Sequence, residues 1–82
     1  MKAEDLLVER VLVSVYPQPD QTARDCARAL IAVALRNQVA MNWSEVKRVA
    51  ELPEYRNLLE CKALVQQVAD ELKIANPMHP PG

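Results

Sequence analysis

The sequence predicts an all-α protein: a small four-helix bundle or an assembly of helical hairpins. Three observations lead there. The only glycine among 82 residues is the last one, whereas a β-rich fold of this size needs glycines at its turns. Apolar residues recur at helical spacing through four segments. Prolines stand at or between the ends of those segments, where they do least harm to a helix. The segments read as about 3–15, 22–37, 43–52 and 53–74, in a single domain over 1–75 with a flexible, Pro-rich tail over 76–82.

In the first segment Leu7, Val8, Val11, Leu12 and Val15 share one face, and Asp5, Glu9, Arg10 and Ser14 lie opposite. Glu4 and Asp5 suit the positive end of the helix dipole. The β-branched stretch RVLVSVY offers a competing strand reading; the acidic start and the 3.6-residue period favour helix. Pro17 and Pro19 end it. For the second segment either Thr22 with Asp25, as a capping box, or Asp20 serves as the cap.

The second segment contains CARALIAVAL, with one charge in ten positions. Its apolar residues cover about two-thirds of the circumference. Arg24, Asp25, Arg28 and Arg36 crowd into the remaining strip. So apolar a helix belongs in the middle of the molecule, able to touch all three others. Asn42 caps the short third segment, with Glu45 three residues on. Pro53 suits the first position of the fourth, where Leu58, Cys61, Leu64, Val65, Val68, Ala69 and Leu72 form one stripe. Leu59 falls on the polar side of that helix. Helices two and four are expected to form the inner core through Cys26, Leu30, Ala34, Leu58, Val65, Val68 and Leu72, with both thiols buried as small hydrophobes.

Composition limits what such a core can supply. Half the residues are hydrophobic, but only 4% are aromatic: Trp43, Tyr16 and Tyr55, with no Phe. A thin aliphatic core rich in alanine buries little area per residue, so burial against a second copy is expected. The net charge of −1 and the absence of a basic segment disfavour nucleic acid. No apolar run approaches the 18 or so residues of a membrane span. Acids at positions 4, 5 and 9 interrupt anything like a signal peptide. A cytoplasmic protein with reduced thiols is the expectation.

No catalytic set emerges. The one histidine, His79, sits in the tail, and no internal glycine exists to build a phosphate-cradling loop. Cys26, Cys61 and His79 lack the paired spacing of metal ligands. The sequence therefore predicts no catalytic, cofactor-binding or metal-binding residues and a protein that is not an enzyme.

What remains is contact. Trp, Tyr and Arg are common interface anchors, which singles out Trp43, Tyr55, Arg48 and Arg56. Leu6 and Val13 lie together on the polar side of the first helix and, with Leu59, add exposed apolar surface. Arg24 and Arg28, one turn apart, read as a solvated strip or as a seat for an acidic partner surface. These nine residues are the predicted partner-binding set. The expected function is a non-catalytic protein–protein interaction module, a regulator, adaptor or inhibitor that docks helix against helix and forms a homodimer. The alternative is a small helix-turn-helix-like DNA-binding regulator, with Lys47, Arg48, Arg56, Asn57 and Lys62 as contacts. Glu54 and Glu60 in the would-be recognition helix weigh against it.

Overall fold

A computed structural model describes residues 2–78. Four helices follow one another: α1 (Ala3–Val15), α2 (Gln21–Leu35), α3 (Trp43–Ala50) and α4 (Leu58–Leu72). No strand occurs among the described residues. The radius of gyration, 11.7 Å, matches the roughly 12 Å of a well-packed chain of this length. No helix is long and apolar enough to cross a membrane among the described residues.

The ends of the helices follow local chemistry. Asp20 caps α2 by accepting from the Ala23 amide at 3.1 Å, so Asp20 rather than Thr22 is the cap. Asn42 caps α3 by accepting from the Glu45 amide. With no internal glycine, other residues take the left-handed backbone positions that end helices. Asn37 (φ 60°) closes α2 and Lys73 (φ 59°) closes α4. Both ends carry the paired bonds of a Schellman motif: Gln38 N–H to Val33 O with Asn37 N–H to Ala34 O, and Ile74 N–H to Ala69 O with Lys73 N–H to Asp70 O.

The fourth helix starts five residues later than its periodicity predicts. Pro53 disfavours helix at Leu52, and residues 53–55 form a turn. Arg56 then takes a left-handed conformation, φ 46°. That turn lets Asn57 point inward, where it is 2% exposed. Its Nδ2 donates to the Val8 carbonyl of α1 at 3.1 Å, and its N–H donates to Ala50 O of α3 at 3.0 Å. Asn57 therefore ties three helices at one point and leaves its own carbonyl to accept from Cys61 N–H.

The centre of the molecule is α1, not the pair of α2 and α4. Like α4 but more extensively, it packs against all three other helices, whereas α2 packs on α1 and α4 and does not meet α3. Bulk explains the exchange of roles. Leu7, Val8 and Val11 of α1 are among the largest fully buried side chains, while α2 buries Ala23, Ala27 and Ala34 alongside Ile31 and Leu35. Small residues give α2 a close but shallow contact. The core is completed by Val46, Val49 and Ala50 of α3 and by Cys61, Leu64, Val65, Val68 and Ala69 of α4. Of the expected inner residues, Ala34, Val65 and Val68 are buried, and Leu30, Leu58 and Leu72 lie partly buried against the core. Cys26 is exposed, because the buried stripe of α2 runs through Ala23, Ala27 and Ile31 and leaves Cys26 on its flank. Both cysteines are free thiols.

After α4 the chain turns back over the bundle. Asn76 is buried, its Nδ2 donating to Gln66 Oε1 at 2.9 Å, and its Oδ1 accepts from the Met78 amide at 2.8 Å. Met78 packs against the core. The rest of the expected tail, with His79, lies outside the described residues.

Candidate docking face

The nine predicted contact residues do not form one patch. Leu6 is exposed on the outer side of α1, and Val13, two turns along, is half-buried beside the 16–21 connection. Tyr55 is partly buried against the core. Trp43 is partly buried too, and shares a depression with Ser44, Lys47, Pro77 and Met78. Arg48 is spent on its own helix, with Nε donating to Glu45 Oε2 at 3.0 Å. That guanidinium holds Glu45 below the usual carboxylate range.

The arginine strip of α2 is a latch between helices. Arg24 and Arg28 both donate to Gln67 Oε1 of α4, at 2.8 and 2.9 Å, and Arg28 also pairs with Glu71. The Arg28 guanidinium keeps the Glu71 carboxyl below its ordinary range. The charge on Arg24 meets only a neutral amide there.

Leu59, Arg56 and Arg24 belong together. Leu59 is 78% exposed on the first turn of α4, while Cys61, Leu64 and Val65 behind it are buried. Arg56, Leu59 and Glu60 line one depression with Ala50, Glu51 and Leu58. Glu60 also borders a second groove, formed between the end of α1 and α4 by Val11, Ser14, Val15, Ala63, Leu64, Gln67 and Arg24. α1 and α4 touch only lightly, and Val15 beside the groove is 48% exposed. Its volume of about 190 Å³ suits one large side chain rather than a drug-sized ligand. The two depressions share Glu60 and make one continuous surface, apolar along Leu59, Ala63 and Val15. Arg56 flanks it on one side and Arg24 on the other. Glu60 stands between them, and neither Glu60 nor Arg56 has a side-chain hydrogen bond or ion pair among the described residues.

Behind this face Cys61 is fully buried. Burial, with a smaller push from Glu60, raises its thiol from 9.0 to about 12, so it is protonated and inert at neutral pH. Comparison of the chain with family models, with curated proteins and with solved structures found no match.

Three contributors to this face are absent from the predicted contact set: Glu60, Ala63 and Val15, which the periodicity of α1 places on its apolar face but which is exposed while Ser14 is buried. Glu60 and Ala63 look like ordinary members of a polar helix side. Asn57 carried a usable signal, since Asn is a favoured N-cap and Asn57 with Glu60 has capping-box spacing.

Proposed function

We propose that this chain is a non-catalytic protein–protein interaction module. It docks helix against helix through the Leu59–Val15 face, self-associates as a homodimer and serves as a small adaptor or regulator. One observation carries the reading. Leu59 is the most exposed large hydrophobic among the described residues, at 78%, and it lies on a face with a groove for a side chain and unpaired charges at its rim. Exposed apolar surface framed by polar groups is the usual mark of an interface, and rim charges set orientation and exclude wrong partners.

The DNA-binding reading asks Lys47, Arg48, Arg56, Asn57 and Lys62 to meet phosphates and bases. Asn57 is buried and Arg48 is paired with Glu45, so the docking reading is the better supported.

The test is Leu59→Asp, with sedimentation velocity from micromolar to millimolar protein and thermal melting by circular dichroism. The wild type is expected to shift to a larger species as concentration rises. The variant should melt like the wild type and sediment as a monomer. A wild type that stays a single small species, or a variant that associates as the wild type does, overturns the proposal. Retardation of random duplex DNA at low salt would move the reading to nucleic acid.

A further inference from the structure

We propose that the groove between the end of α1 and α4 is covered by a second copy of the chain, with the two α4 helices antiparallel across a two-fold axis at Ala63 and Glu60 of each copy against Arg24 of the other. The proposal rests on the docking reading above and adds the register. Its basis is the placement of two charges in one groove. Arg24 and Glu60 are the only charged residues that line it. Among the described residues neither makes an ion pair. Arg24 donates to Gln67 Oε1 at 2.8 Å, which fixes its guanidinium beside Gln67. Glu60 and Gln67 both border the groove and stand seven positions apart on α4, two turns or about 10 Å. The groove is therefore negative at one end and positive at the other, with Val15, Ala63 and Leu64 between.

That arrangement selects its occupant. A partner of a single sign would gain at one end of the groove and lose at the other. What fits is a surface with opposite charges two turns apart, in inverted order. The same groove edge of α4, run backwards, is such a surface. A two-fold interface brings residue i to residue j and j back to i. When the axis stands perpendicular to the plane of two antiparallel helices, the groove edges of both copies lie on the same side of the pair. Ala63 is midway between Glu60 and Gln67. With the axis there, Glu60 of each copy lies across from Gln67 and Arg24 of the other, twice. Parallel helices would instead set Glu60 against Glu60 and Arg24 against Arg24. Ala63 is exposed, and its single methyl lets the helices approach closely where they cross the axis. Arg28, the next cation along α2, is already paired with Glu71.

The test uses charge reversal and cross-linking in the full chain. Glu60→Arg sets cation against cation across the interface, and Arg24→Glu sets acid against acid. Each is expected to self-associate about tenfold more weakly. Glu60 is exposed and has no bond to lose, so its melting curve should stay at the wild-type position; it decides the matter if Arg24→Glu, which gives up Gln67, melts lower. An equimolar mixture of the two single variants should restore association, because each supplies the sign that the other lacks. Register is read separately by cysteines placed on the outer side of α4 in a Cys26→Ser background. Ala63→Cys lies on the axis and should form a disulfide-linked dimer under a mild oxidant. Asp70→Cys, equally exposed, has its mate about 20 Å away in this register, beyond the reach of a disulfide, and should stay monomeric in the same reaction. If Glu60→Arg associates like the wild type, or Asp70→Cys links as readily as Ala63→Cys, while Leu59→Asp still abolishes association, the register is overturned and the docking reading stands. Weakened single variants that the mixture does not rescue also overturn the register. A wild type that never associates overturns the second copy altogether.

Discussion

Trp43 and Leu59 occupy similar places, each in the first turn of a helix and each at the edge of the core, yet the chain treats them differently. Trp43 is partly buried against the core and borders a depression with Pro77 and Met78, a segment held by the buried Asn76. Leu59 is left 78% exposed among the described residues. The larger and more anchor-like residue is the one the chain covers itself. Availability to a partner thus depends on which segments of the same chain can reach a side chain, and the residue's chemical type is a weak guide to it. The C-terminal segment leaves α4 at Lys73 and turns back toward α3. Among the described residues no segment covers Leu59.

Several changes break or sharpen this contrast. The largest effect should come from Asn57→Ala, which removes the bond to Val8 that seats the start of α4. A loss of about 1.5 kcal/mol is expected for a buried side-chain hydrogen bond, read by urea unfolding, together with loss of association. Next is Met78→Ala, which uncovers Trp43. It should cost about 1 kcal/mol, since Met78 is only partly buried, and red-shift the emission of the single tryptophan. An unshifted spectrum would mean that Trp43 is not covered as described. The thiols probe the underside of the bare face. Cys26 should react promptly with a thiol reagent and Cys61 only on unfolding; prompt reaction of both would show a frayed α4. Because the folded Cys61 thiol titrates near 12 rather than 9.0, its contribution to stability is complete below pH 9 and is lost as pH rises toward 12. Smallest in stability is Leu59→Asp, expected within about 0.5 kcal/mol of wild type although it abolishes association.

The helices were legible because their apolar spacing and caps are local. Segment α1 falls on its predicted bounds, and the Asn42 cap forms as read. The errors share a cause: they concern which face meets which. Nothing within α2 says that its alanines, rather than Cys26, will meet α1, and apolar fraction concealed that α1 has the bulkier side chains. The start of α4 was misread because Arg56 takes a left-handed turn that its side chain does not announce. On the docking face, Leu59 stood out as an apolar residue on a polar side. Val15 and Ala63, 48 positions apart, come together only where α1 and α4 border one groove, which no local pattern encodes.

The bond between Asn57 and the Val8 carbonyl also bears on motion. Helix ends ordinarily fray, and their amides exchange with solvent through small local openings. Here the Cys61 amide bonds to the carbonyl of a residue whose own side chain is fastened to the middle of α1. To let that amide exchange, the protein must release its central helix. Deuterium uptake at the start of α4 should therefore be as slow as in the deepest core, and a partner gripping Leu59 would pull on the whole molecule.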